Sequence, residues 1–183
     1  MTGGTASALL ASFRTEMART PWFASCGAGL NAAVTETASS YVAGLGLGDL
    51  PVAGAGDWRA AQALAQRPDW SREWWAAESK AEKILHLRGE ARFGADDFLA
   101  ALTDVIERAS SIHDAALAAL ARAGVDDPGL AKSATGAASQ ACHQAALARL
   151  AEAGPAHAFA LKFRLFAAGR WPLGIVQSRC FVF

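Results

Sequence analysis

Cysteine is scarce in this chain. Cys26, Cys142 and Cys180 stand far apart and make no CxxC pair, and an odd, sparse set of thiols fits a reducing cytoplasm better than an oxidising compartment. Long apolar runs are also missing. No stretch approaches the roughly 18–20 apolar residues needed to cross a bilayer, and the first residues lack the basic start and unbroken apolar core of a secretory signal. The expectation is a cytoplasmic protein with no membrane partner. Excess charge of either sign is absent too: 17 acidic and 17 basic side chains sum to zero. That argues against a dedicated nucleic-acid binder, whose affinity comes largely from neutralising phosphates. Catalytic signatures are equally thin. There is no G-x-S-x-G, no His-x-x-x-His and no Glu-x-x-His. Cys142 and His143 are neighbours, but adjacent helical residues point about 100° apart and cannot form a nucleophile–base pair directly. No cofactor is expected.

Apolar side chains are abundant, at 52% of the 183 residues, with alanine foremost and six Trp and nine Phe supplying bulk. A chain of this length buries roughly 70% of its unfolded surface, so its core needs neither disulfides nor metal. The strongest pattern runs from Asp96 to Gly124. Phe98, Leu102, Val105, Ala109, Ile112, Ala116 and Ala119 recur at alternating four- and three-residue steps, the spacing of a seam that faces a partner helix. Leu99, Ile106 and Leu120 widen the stripe, and His113 shares their seven-residue column. Asp96 and Asp97 suit the start of a helix and Gly124 its end. One helix of roughly 40 Å is predicted here.

Around it, periodicity predicts helices over Thr5–Thr20, with a restart at Pro21, and over Leu30–Ala43. Gly44–Gly56 reads as a glycine-rich loop with a short extended piece near Leu50–Ala53. Asp57 caps a helix over Trp58–Gln66. Asp69 is assigned as the cap of Trp70–Arg88, whose stripe is Trp70, Trp74, Ala77, Ala81, Ile84 and Leu85, and Gly89–Ala95 is the connection that follows. Asp127 and Pro128 open a helix whose seam of Leu130, Ala134, Ala137, Ala141, Ala145 and Ala148 is almost all alanine. His143, Leu147 and Leu150 on its other side predict that it is sandwiched between neighbours. Ala156–Ala168 forms the last helix, with Phe159, Phe163 and Phe166 on one side, and Ile175–Phe183 is β-prone. A lone strand is unstable, so this tail is expected to dock on the bundle, to pair with Leu50–Ala53, or to pair across a dimer. The fold expected is all-α: a single domain, 1–183, with an antiparallel helical bundle over 57–168. A helical N-terminal elaboration occupies 1–56 and a short extended C-terminal segment 169–183.

Candidate functional residues are few. His86, His113, His143 and His157 fall on four successive predicted helices, and bundle cores host metal sites built from His and carboxylates. The metal candidates are Glu82, His86, His113 and His143. Glu78, Glu82 and His86 share i, i+4, i+8 spacing, although Glu82 and His86 lie well off the apolar stripe, where an ordinary surface pair is the simpler expectation. His113 sits in an apolar column and reads first as a core histidine with a hydrogen-bond partner. Trp74, Trp75, His113 and His143 are the candidates for a ligand pocket, with Arg72 or Glu78 as polar anchor. Trp75 lies about 100° round from Trp74, so the two cannot both be central core. Gly27–Ala32 matches G-x-G-x-x-A, with Asp49 about twenty residues on, but the dinucleotide reading needs a buried strand before it and a parallel βαβ sheet around it, and neither is predicted. Phe159–Trp171 interleaves Lys162, Arg164 and Arg170 with aromatics, too few cations to outweigh an amphipathic bundle helix. Three functions follow from these residues. The first is a non-enzymatic protein-interaction or self-associating module, joined to a homo-oligomer or protein partner through the C-terminal tail. The second is a small-ligand-binding bundle with a Trp/His-lined pocket, and the third a metal-dependent bundle enzyme.

Overall fold

A computed structural model describes residues 5–107 and 109–183, the side chain of Ala109 excepted. The chain is mostly helical and also carries a small sheet. Its elements in order are α1 (Ala6–Leu9), α2 (Ala11–Arg19), α3 (Ala32–Gly44), β1 (Val52–Gly54), α4 (Trp58–Ala65) and α5 (Arg72–Phe93). Then follow α6 (Ala95–Ile106), α7 (Ala109–Arg122), α8 (Pro128–Leu150), α9 (Ala158–Ala167), β2 (Pro172–Val176) and β3 (Arg179–Val182). No helix among the described residues is long and apolar enough to cross a membrane.

α8 is the axis of the molecule and packs against α5, α6, α7 and α9. Its alanines allow that crowding. Gln144 to Ala148 are buried without a break, which a helix covered on one side cannot achieve. The predicted sandwiching is therefore observed. Asp127 accepts the N–H of Leu130 as cap, with Pro128 in the first turn, as its sequence requires.

The long helix expected over Asp96–Gly124 is two helices. Its seam is nonetheless buried as predicted at Phe98, Leu102, Val105, Ile112, Ala116 and Ala119, while the side chain of Ala109 lies outside the description. No glycine or proline marks the division. On either side of it the neighbours differ: α6 folds onto both α5 and α8 while α7 follows α8. As a result the second column splits: Leu99 and Ile106 are exposed, His113 is half-buried and Leu120 is buried.

Other boundaries shift for local reasons. The first helix is interrupted at Leu10, and residues after Pro21 make turns rather than a new helix. Ser71, not Asp69, caps α5 by accepting the Trp74 N–H, while Asp69 pairs with Arg67. Trp70 is thereby freed to bridge to Val176 of β2. α5 runs on through Gly89 to Phe93, and Gly89 faces α6, where the Phe98 ring packs so closely that no Cβ fits. Asp97 turns away from its own helix and accepts the Ala6 N–H, tying α1 to α6.

The helical class expected is observed, and beside the helices stands a small three-stranded sheet, ordered β1–β3–β2. β3 runs parallel to β1 (Val52↔Cys180, Gly54↔Val182) and antiparallel to β2. Of the three fates open to the tail, it takes the first two. Val182 and Phe183 are fully buried within the subunit, and the Phe183 ring stands edge-on to Trp58 at 4.9 Å. The apolar end of the tail is thereby taken up within the subunit, while Gln177, Ser178 and Arg179 stay exposed.

The β2–β3 turn is made by Gln177 and Ser178, with φ of 48° and 57°. Both central residues are left-handed, as a tight hairpin turn requires, yet neither is glycine or asparagine. Ser178→Gly is expected to stabilise the fold by about 1 kcal/mol by relieving that strain. Urea midpoints of the two proteins check it, and an unchanged or lower midpoint would mean the turn is not strained.

Candidate functional site

The densest polar chemistry lies inside the protein. Trp74, Glu78 and Glu82 follow one another at i, i+4, i+8 on α5, so the stripe that begins apolar continues with two carboxylates. Tyr41 of α3, Gln144 of α8 and Lys162 of α9 converge on it. Lys162 Nζ donates to Glu78 Oε1 at 2.6 Å, and the Tyr41 hydroxyl donates to the same oxygen at 2.5 Å. Trp74 Nε1 donates to the Tyr41 oxygen at 2.6 Å. Gln144 accepts from Lys162 at 3.1 Å and turns its amide N–H toward Glu78 Oε2 at 3.4 Å and Glu82 Oε2 at 3.3 Å. Glu78, Gln144 and Lys162 are 3%, 0% and 6% exposed, so these bonds form away from water, where an unmatched partner is costly. Burial, and then the Glu78 charge beside it, push the Tyr41 hydroxyl well above its ordinary range, so it stays a donor.

The network reaches the surface through Glu82. Its Oε1 lies 3.8 Å from His143 Nε2, and Glu82, Lys83, His86, Leu87 and Gln140 line an open groove of about 480 Å³. His143 Nδ1 is buried without a hydrogen-bond partner among the described residues. Burial lowers the His143 pKa from the ordinary 6.5, opposed by Glu82 and reinforced by His86. His157 is lowered as well, by burial and then by Arg88; its Nδ1 accepts the Phe159 N–H as cap of α9, a bond that protonation removes. Both groups are held in the neutral form by the fold. Stability is therefore complete above the unfolded value of about 6.5 and falls as pH drops from there through the lowered folded values. Urea titrations at a series of pH values between about 7.5 and 5.5 check this, since His143→Gln with His157→Asn should flatten the profile. A profile equally steep in the double variant would assign the loss to other groups.

The predicted candidates separate in space. Trp74 is buried in the network and Trp75 is half exposed, with ring centroids 4.7 Å apart. His113 Nδ1 stands 3.2 Å from Thr135 Oγ1, a core histidine with its partner. Thr135 is eight residues from His143 on the same helix, about 12 Å along it, so the two histidines do not share a site. Of the pocket candidates, Trp74 and Trp75 lie together and His113 stands apart from His143. The would-be anchor Glu78 belongs to the ion pair. Of the metal candidates Glu82, His86, His113 and His143, the structure places His143 3.8 Å from Glu82 and His86 on the same groove as Glu82, 3.9 Å from Glu90, with His113 apart. Among the described residues no three His, Cys, Asp or Glu side chains are grouped to hold a metal ion. Tyr41, Gln144 and Lys162 were not singled out for this cluster by sequence reasoning. The only sign was a polar residue interrupting an apolar stripe, as Gln144 and Lys162 do.

The remaining motifs have structural roles. Arg170 donates to the carbonyls of Ala28 at 2.5 Å and Gly29 at 2.7 Å, so the G-x-G-x-x-A segment is clamped by its own chain, and turns rather than a strand precede it. Burial raises the thiols of Cys26, Cys142 and Cys180 to about 12, which leaves them protonated and unreactive. A second groove, about 530 Å³, lies between α1, α2, α8 and α9, lined by Leu9, Glu16, Arg149, Glu152, Phe163 and Arg164. Comparison with protein-family models, curated proteins and solved structures returns no match for this chain.

Proposed function

We propose that this protein works by association, with itself or with another protein, through the outer face formed by α5, α6 and α7. One observation carries the reading. Among the described residues, the large hydrophobics left exposed are Leu9, Trp75, Ile84, Leu87, Leu99, Ile106 and Leu117. All lie on α5, α6, α7 and on α1, which packs against α6; none lies on α3, α8, α9 or the sheet. Apolar side chains concentrated on one group of elements favour a contact surface over chance exposure. The antiparallel bundle belongs to this proposal, as a rigid platform in which α8 backs the helices that present the surface. So does a cytoplasmic location, suited to three separated, unreactive thiols. Zero net charge favours a protein partner over nucleic acid. A small-ligand role for the 530 Å³ groove has less support, because Glu16 is paired with Arg149 and Glu152 with Arg92.

Sedimentation velocity over a concentration series, with affinity capture by the full chain, tests the proposal. Self-association or a captured partner, lost in Leu87→Glu and Leu99→Glu while circular dichroism stays helical, is the expected result. A monomer at every concentration that retains no partner, or association unaffected by both substitutions, would overturn it.

A further inference from the structure

Three buried side chains from three helices form a reactive triangle. Lys162 Nζ lies 3.1 Å from Gln144 Oε1 and 2.6 Å from Glu78 Oε1, and Gln144 Nε2 faces Glu78 Oε2 at 3.4 Å. An amine therefore stands beside an amide carbonyl, and one carboxylate spans both the nitrogen able to attack and the nitrogen able to leave. Glu78 is itself fixed by the Tyr41 hydroxyl, which Trp74 Nε1 anchors in turn.

We propose that Lys162 and Gln144 are a self-reacting pair that closes an isopeptide bond between α9 and α8, with Glu78 carrying the protons. Glu78 takes a proton from the Lys162 ammonium group, and the free amine attacks Cδ of Gln144. The Nζ–Cδ bond forms and the carbonyl electrons move to oxygen. Glu78 then gives its proton to Nε2 and takes another from Nζ. As the carbonyl re-forms, the Cδ–Nε2 bond breaks and ammonia leaves. The products are a secondary amide, a protonated Glu78 and one ammonia, so atoms and charge balance and no oxidant or cofactor is needed. Two features drive the step. The reactants are held together by the fold, which removes the entropic cost of a bimolecular encounter. The reaction also converts a buried ion pair, expensive to keep away from water, into neutral groups, and ammonia escapes to solvent.

Mass spectrometry of the intact, denatured full chain tests the proposal. The expected result is a species about 17 Da below the mass calculated from the sequence, the mass of one ammonia, and a branched peptide joining Gln144 to Lys162 on digestion. Lys162→Arg keeps a cation facing Glu78 but has no amine to attack, and is expected at its full calculated mass. Wild-type protein that is folded by circular dichroism and stays at full mass after prolonged incubation overturns the proposal. So does a loss of ammonia that maps to other residues or persists in Lys162→Arg.

Discussion

In the chain whose Lys162–Gln144 bond has not closed, replacing Lys162 with methionine is expected to destabilise the protein by about 3–5 kcal/mol, the cost of leaving one member of a buried ion pair without its partner. For a chain of this length that lowers the melting temperature by something on the order of 10 °C. The stranded group is Glu78, 3% exposed and held by Tyr41 and Gln144, with no other cation bonded to it among the described residues. Glu78→Gln added to Lys162→Met removes the stranded charge and is expected to recover a large part of the loss, about 1–4 kcal/mol. Both variants lack the Lys162 amine, so their difference reads the charge alone. Urea denaturation of wild type, single and double variants makes the measurement. A single variant within about 1 kcal/mol of wild type would mean that water reaches Glu78 and screens it, as at an exposed pair.

Gly174→Ala carries the second large effect. Gly174 sits at φ 129° in the irregular pairing of β2 with β3, and a Cβ there would lie 2.5 Å from the Trp74 ring and 2.6 Å from the Trp70 ring. Neither indole can retreat cheaply. Trp74 donates its N–H to Tyr41, and Trp70 bridges backbone to Val176. The added methyl therefore has to displace either the buried network or the sheet edge, in a backbone conformation that L side chains rarely adopt. A loss of about 3 kcal/mol or more is expected, combining overpacking with backbone strain. The near-ultraviolet circular dichroism of the indoles should change with it. Trp70→Ala in the same chain opens space on one side and is expected to restore part of the stability. Gly46→Ala supplies the comparison: its φ is 77° but nothing lies within 4 Å of a built Cβ, so it bears strain without the clash. Equal losses at Gly174 and Gly46 would show that strain alone matters and the indoles yield freely.

The local layer of this protein was legible in its sequence. The seam from Phe98 to Ala119, the alanine face of α8, the caps at Asp57 and Asp127 and the buried phenylalanines of α9 all follow from short-range rules. Helical periodicity decides which side chains share a face, and a cap needs only a side-chain oxygen three residues before an unpaired N–H. What the tertiary structure decided depends on partners distant in sequence. Leu99 and Leu120 belong to one seven-residue column, yet one is exposed and the other buried, because the division after α6 turns the two halves against different neighbours. Trp70 looked like the first turn of a helix until β2 offered its backbone a partner. The ion pair was least legible of all. Glu78 is separated from Tyr41 by 37 residues, from Gln144 by 66 and from Lys162 by 84. Each alone reads as a polar residue on a helix, since burying a charge is unfavourable until its counter-charge and hydrogen bonds arrive from other helices. The sequence determined where helices form and which faces are apolar; only the assembled fold decided which polar groups could leave water, because that depends on long-range pairing and not on any local pattern.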